Sequence, residues 1–255
     1  MKTIKIIGII PARFASTRFP GKPLAKIRGI SMIERVYRQC TKASTLSSVF
    51  VATDDKTIFK HVKSFGGNVV MTSPVHQSGT DRCMEAIRII EDKHEELYSD
   101  VIFNIQGDEP LIDPKVIDAL AKAFRDPSVD IATVATAFSD SSSVQNPNTV
   151  KIVTDINQNA LYFSRSPVPF FRNQAPSPDQ FLKHIGMYAY RKAILKQITG
   201  MPQSALEKTE SLEQLRWLEN GLKIKIIRCE SEGLCVDVPD DIRIVEDFMN
   251  KNNMI

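Results

Sequence analysis

Short β-branched and aliphatic runs alternate with helical periods through the first half of this chain. TIKIIGII (Thr3–Ile10) is an Ile-rich run, the pattern of a strand buried on both faces. SMIERVYRQCTKA then places Ile33, Val36, Tyr37 and Cys40 on one helical face, with Ser31 and Glu34 in capping-box spacing. SVFVAT predicts a second strand. Asp54 and Asp55 suit the start of a helix over Thr57–Phe65, which Gly66 and Gly67 stop. NVVMT is a strand, and the loop SPVHQSG leads to a helix over Thr80–Glu91. DVIFNIQ is the next strand, GDEPLIDP its turn, and Pro114 opens a helix through Phe124. DIATVATAF is a further strand.

The second half changes style. TVKIVTDINQNALYFSR reads as two strands about an Asn-rich turn. SPVPFFRNQAPSPDQ, with four prolines, is an irregular excursion, and KHIGMYAYRK is a strand. Helices are expected over 191–199 and 207–220, a strand at KIKIIRC, and a closing helix at VPDDIRIVEDFMN with Pro239 in its first turn. The alternation predicts an α/β fold with a mostly parallel central sheet and helices on both faces. An antiparallel elaboration is expected over residues 145–190, and no linker divides the chain, so 1–255 is read as one domain.

Hydrophobic content of 42% and charged content of 25% are globular values. A net charge of +3, from 33 cations against 30 acids, does not indicate a nucleic-acid protein. The asymmetry is local: Lys2, Lys5, Arg13, Arg18, Lys22, Lys26 and Arg28 precede the first acid, Glu34. Such a bias favours a small anionic ligand. The four cysteines show no C-x-x-C pair and no zinc spacing, which suits a reducing compartment. No signal-peptide pattern opens the sequence and no run approaches a membrane span. A cytoplasmic protein without membrane insertion is expected.

Four loops stand at expected strand ends, where open α/β sheets bind ligands. GIIPARFASTRFPGKP (Gly8–Pro23) holds three cations and no acid. Gly21 permits close approach of the backbone, Pro11 and Pro20 stiffen the loop, and Arg13, Arg18 and Lys22 suit a triphosphate. The spacing is neither Walker A nor Rossmann; a solvated basic loop is the plainer alternative. In QGDEP, Asp108 follows a strand and a glycine, where it suits Mg²⁺ or simply binds its own turn. In CVDVPDD, Asp240 and Asp241 serve the helix dipole and leave Asp237 available for metal, although aspartates before such a helix also act as caps. HQSGTDR exposes backbone at Ser78 and Gly79, where a base edge or phosphate could bind; Thr80 or Asp81 as an N-cap is an equal reading.

Together these segments resemble the 3-deoxy-manno-octulosonate cytidylyltransferases, the CMP-Kdo synthetases. The likeness runs through IIPARFASTRFPGKPL, VATDD, HQSGTDR, NIQGDEPLI, NPNTVKIV, ALYFSRSPVPF, KHIGMYAYR, LEQLRWLENG and VDVPDD in the family's order. ALYFSR, HIGMYAYR and LEQLR separate the Kdo branch from the wider sugar-nucleotidyltransferase group. The resemblance implies a nucleotide-diphospho-sugar transferase fold, usually a homodimer, whose 145–190 elaboration serves dimerisation and sugar binding. It also implies transfer from CTP to Kdo with Mg²⁺, supplying lipopolysaccharide assembly.

By the same resemblance, Arg18, Lys22 and Asp108 are catalytic. Ala12, Arg13, Arg18, Lys22, Ser78, Gly79 and Gln106 bind CTP, and Asp108 and Asp237 hold the metal. Arg82, Gln106, Arg165, His184, Tyr188, Glu213 and Gln214 line the sugar-acid pocket, with Arg165 and His184 as a second cationic cluster. Cys235 stands where a small residue is expected, and no redox role is drawn from it. The rival readings are a cytidylyltransferase for another acidic sugar, a non-catalytic nucleotide-binding regulator, and a glycosyltransferase that forms no pyrophosphate.

Overall fold

The structure, a computed structural model, describes residues 4–15, 18–173, 175–230 and 233–254. Thr3, the expected start of the first strand, and residues 16–17 of the basic loop lie outside them. Strand β1 spans Ile6–Ala12. It runs through Pro11 because its ladder with the strand at 101–104 ends at Ile9, so no sheet bond is lost on that side to the missing N–H. A small unforeseen hairpin follows, β2 (Lys26–Ile27) and β3 (Ile30–Ser31). It turns on Arg28 and Gly29, both at positive φ, as a two-residue hairpin loop requires.

Helix α1 (Met32–Cys40) keeps half of its predicted capping box: Ser31 accepts from the Glu34 N–H, while the Glu34 carboxylate pairs with Arg38 instead. Then come β4 (Ser48–Thr53), α2 (Lys56–Ser64, capped by Asp55), β5 (Val69–Met71), α3 (Gly79–Lys93) and β6 (Val101–Asn104). Helix α4 (Pro114–Ala123), β7 (Ile131–Ala137), the short α5 (Ser141–Gln145), β8 (Lys151–Thr154), β9 (Ala160–Ser164) and β10 (Leu182–Arg191) follow. Helices α6 (Lys192–Thr199), α7 (Ala205–Glu210) and α8 (Gln214–Glu219), strand β11 (Ile224–Arg228) and α9 (Asp241–Lys251) close the chain. Among the described residues no helix is long and apolar enough to cross a membrane.

The chain forms two compact units, Met1–Asp118 with Gly233–Ile255, and Ala119–Glu232. In the first, β6, β1, β4 and β5 are parallel neighbours in that order. Ile7, Ile9, Ile10, Val51, Ile102 and Phe103 are 0–1% exposed there, as continuous apolar strands should be in a sheet covered on both faces. Arg82, from the first turn of α3, is 1% exposed and ion-paired to Asp54 at 3.0 Å. Removing one member of a buried pair strands the other charge, so Asp54→Ala should lower unfolding free energy by about 3 kcal/mol, read from denaturant midpoints.

In the second unit β11 runs parallel to β7, and β7–β10, β10–β8 and β8–β9 are antiparallel, with an irregularity in β10 between Ile185 and Tyr188. The predicted hairpin is therefore present as β8 and β9. The single helix expected over 207–220 is instead two, α7 and α8, because Ser211 turns left-handed at φ 52°. Glu207 of α7 and Arg216 of α8 then face each other with fork-to-fork bonds of 2.8 and 2.6 Å.

Burial pushes the carboxyls of Glu85, Asp118 and Glu207 up, but their hydrogen bonds to His76 and Ser73, to Thr45 and Ser44, and to Arg216 and Ser204 leave each below its usual value. Below its unfolded value near pH 4, such a group binds more protons unfolded than folded. Its contribution is therefore complete above about pH 5 and lost as pH falls through the folded values. Urea midpoints should drop between pH 6 and pH 3; a rise on acidification would contradict this.

Candidate active site

The strand ends of the first unit collect the predicted nucleotide and metal residues. Ala12 ends β1 and is buried, and the exposed Arg13 begins the loop. The loop folds back as Gly21, at φ 71°, donates to the Phe14 carbonyl at 3.0 Å. The partly buried Phe19 packs with Ile27, Met32, Val236, Val245 and Met249, fixing the loop against the C-terminal segment.

That segment is organised by Val236. Its side chain is fully buried, so in an extended run Cys235 and Asp237 face the opposite way. The Val236 N–H donates to the Asp108 carbonyl at 2.9 Å, and its own carbonyl accepts from Lys22 Nζ at 2.9 Å. Asp108 arrives by a different route. Gly107 lies so close to β1 that a Cβ there would stand 3.0 Å from the Pro11 carbonyl, so a side chain at this position would press the turn after β6 away from β1.

The result is a compact charge cluster. Lys22 Nζ lies 2.7 Å from Asp108 Oδ2 and 3.7 Å from Asp237 Oδ1, and Arg18 Nη2 lies 3.1 Å from Asp237 Oδ1. The two carboxylates thus converge on one positive charge, the arrangement that a hard divalent cation uses. Cys235 joins them: ligand atoms of Asp108, Cys235 and Asp237 all lie within 4.8 Å of one another. Desolvation and the carboxylates of Asp108 and Asp237 push the Cys235 thiol up, which keeps it protonated. Sequence reasoning gave Cys235 no place here.

Sequence reasoning also missed Asp241. Rather than cap α9, its Oδ2 accepts from the backbone N–H groups of Asp237 at 2.7 Å and Val238 at 2.9 Å. The signal was the four-residue spacing from Asp237, an acceptor reaching back to the segment before the helix.

Ser78, not Thr80 or Asp81, caps α3, accepting from the Asp81 N–H at 3.1 Å, and Gly79 is the first helical residue. The half-buried Gln106 stands two residues before Asp108. Arg82, expected to contact the sugar, is buried with its guanidinium bonded to Thr72 and Asp54. In this structure it braces the loop after β4.

The remaining predicted sugar residues lie in the second unit. His184 is partly covered, with its ring edge-on to Phe163 and tilted against Tyr188. Burial lowers its pKa to about 3, so it is neutral near pH 7 and no cationic pair with Arg165 forms. Thr133 Oγ1 donates to the Met187 carbonyl at 2.7 Å and so accepts from His184 Nε2, 3.1 Å away, leaving Nδ1 as an acceptor. Arg165 donates to the carbonyls of Glu210, Pro147 and Ser211. It holds the α7–α8 break together. Glu213 lies 3.8 Å from Arg216. Gln214 is 5% exposed, and its Nε2, like the Tyr188 hydroxyl, is buried without a hydrogen-bond partner among the described residues, so these two predicted sugar residues keep a donor for a ligand.

Comparison with known proteins bears on all of this. A family profile described as Cytidylyltransferase matches residues 7–224. The 3-deoxy-manno-octulosonate cytidylyltransferase of Parabacteroides distasonis is 54% identical over 248 residues, 94% of this chain and 96% of that protein. That of Bacteroides thetaiotaomicron is 49% identical over 258 residues, 98% of this chain and 100% of its own length. A solved structure of CMP:2-keto-3-deoxy-manno-octonic acid synthetase complexed with CTP matches with a TM-score of 0.88 at 38% identity, covering 97% of this chain and 99% of that one. The α/β fold of nucleotide-diphospho-sugar transferase type, with its mostly parallel central sheet, is borne out.

Proposed function

The chain belongs to the 3-deoxy-manno-octulosonate cytidylyltransferase family, and from that premise we propose that it transfers a cytidylyl group from CTP to Kdo. The products are CMP-Kdo and pyrophosphate. The observation that carries this reading is the Lys22 ammonium held between Asp108 and Asp237 beside Arg18.

In the reaction the anomeric hydroxyl of Kdo forms a bond to the α-phosphorus, and the bond from that phosphorus to the bridging oxygen breaks. Pyrophosphate leaves with the electron pair, and the hydroxyl proton passes to solvent. Transfer of this kind depends on positioning and on neutralising charge. Lys22 leaves the carboxylates to meet the phosphates, and Arg13 and Arg18 share the charge of the departing pyrophosphate. Ser78, Gly79 and Gln106 line the nucleotide.

Asp108 and Asp237 would hold Mg²⁺, and their convergence on one ammonium fits that role. Bound there, the ion supplies Lewis-acid polarisation of phosphate and hydroxyl oxygens. Asp241 positions Asp237 through its backbone, so Asp241→Ala should raise the magnesium concentration for half-maximal turnover severalfold. A magnesium titration of the variant that matched the wild type would leave Asp241 a purely structural residue.

For the sugar acid, Gln214 offers a donor, His184 Nδ1 an acceptor, and Tyr188 an aromatic wall, with Glu213 alongside. Arg165 shapes the pocket rather than charging it. Assembly as a homodimer draws support from Ile156, Leu161 and Phe170, which are 95, 60 and 88% exposed on or beside the antiparallel elaboration. We place the enzyme in the cytoplasm, supplying lipopolysaccharide assembly.

The test is pyrophosphate release from CTP and Mg²⁺ with Kdo, an amino-substituted Kdo and a sialic acid in parallel. Release with Kdo supports the reading; release only with another acid would keep the CTP half and overturn the sugar half.

A further inference from the structure

We infer that the side-chain amide of Asn104 reads the edge of the nucleotide base, with its Oδ1 accepting from the exocyclic amino group that separates cytosine from uracil. The inference rests on the CTP reading above and adds a specificity residue to it. Asn104 ends β6 and is 5% exposed. Its Oδ1 is buried and has no hydrogen-bond partner among the described residues. Buried amide oxygens are nearly always paired, because leaving one without a partner forfeits its hydration for nothing. An exception at the carboxyl end of a central strand points to a bond that a ligand completes.

The surroundings say where that ligand sits. A Cβ built on Gly79 would lie 3.5 Å from Asn104 Nδ2, 3.6 Å from Asn104 Oδ1 and 3.5 Å from Pro11 Cγ. The amide therefore lies beside the first residue of α3 and the ring of Pro11, at ordinary contact distance from the Cβ position that Gly79 leaves bare. This is a second feature, independent of the orphaned oxygen: the amino end of a fifteen-residue helix, where free N–H groups gather.

The chemistry narrows the occupant. Phosphate oxygens only accept, so a phosphate cannot satisfy Asn104 Oδ1. The donors of CTP are its ribose hydroxyls and its base amino group. Of these, the base amino group is the donor that differs between CTP and UTP, and it is the occupant assigned to Asn104 Oδ1. Cytosine presents its amino donor where uracil presents a carbonyl acceptor, so UTP would set two oxygens against each other. A site built around such a bond rejects an analogue lacking the donor.

The experiment measures kcat/KM for pyrophosphate release with CTP, UTP and dCTP on the full chain, with Kdo and Mg²⁺. Asn104→Leu should lower the CTP value by about tenfold to a hundredfold and change the UTP value little, so that the CTP/UTP ratio collapses. Asn104→Asp keeps an acceptor and should retain the preference for CTP. Gly79→Ala sets a methyl against the amide and should erode the ratio as Asn104→Leu does, a check that remains should the leucine variant fail to fold. Equal losses with CTP and UTP, or an unchanged ratio in Asn104→Leu and Gly79→Ala, would overturn the inference. So would a change confined to CTP against dCTP, since the amide would then face the ribose. Absence of turnover in the wild-type protein with CTP would instead remove the nucleotide reading beneath it.

Discussion

Asp108→Asn should reduce pyrophosphate release by about a thousandfold or more while leaving the protein folded. The carboxylate stands 2.7 Å from Lys22 Nζ at a strand end, and its own backbone carbonyl is tied to Val236. Asparagine keeps the volume and one oxygen, so the turn, the Val236 tie and a hydrogen bond to Lys22 all survive. What disappears is the negative charge that would fix a divalent cation, and with it the means of polarising the phosphate. Thermal midpoint and CTP affinity, measured alongside turnover, separate chemistry from folding. Wild-type turnover at saturating magnesium in this variant would take Asp108 out of the mechanism.

Lys22→Met carries the second large effect, a loss of about a hundredfold to a thousandfold in kcat/KM for CTP, the scale of deleting one preorganised charge at a transition state. Methionine preserves the stem and removes the ammonium. The side chain is 17% exposed and lies between two carboxylates, so its removal leaves Asp108 without its cation and Asp237 with Arg18 alone. The variant should therefore need no more magnesium than the wild type, and less if Lys22 competes for the carboxylates. A fall in rate with an unchanged or lower magnesium requirement marks Lys22 as a phosphate ligand. A fall that excess magnesium fully restores would make it only a gatekeeper of the metal.

Much of this was legible because two signals agreed. Apolar runs such as TIKIIGII, SVFVAT and DVIFNIQ pointed to the parallel strands, and the polar residues after them to the candidate site. Lys22 and Asp108 meet at those strand ends. The misses share a cause, since in each a distant partner decided what a local pattern could not. TESLEQLRWLENG keeps a helical period throughout, yet the chain breaks at Ser211, whose carbonyl is taken by Arg165 and whose flanks are drawn together by Glu207 and Arg216. His184 reads as a cation until its burial among Phe163, Tyr188 and Thr133 is known. Asp241 looks like one more helix-start acid, and only its bonds to the Asp237 and Val238 backbone show it holding a site residue. Asn104 passes for an ordinary strand residue, because an unpaired oxygen has no signature in sequence.

The tie through Val236 also bears on how the protein is made. The first compact unit is assembled from the two ends of the chain, and Val236 hydrogen-bonds to both Asp108 and Lys22. On the ribosome, everything through the second unit emerges before that bond is possible. A nascent chain halted at any point before Val236 would hold the basic loop and Asp108 without their partner segment. Activity should thus appear only with the last stretch of synthesis, so messages truncated near their 3′ end yield inert chains, whereas supplying 233–255 in trans is the complementation to attempt.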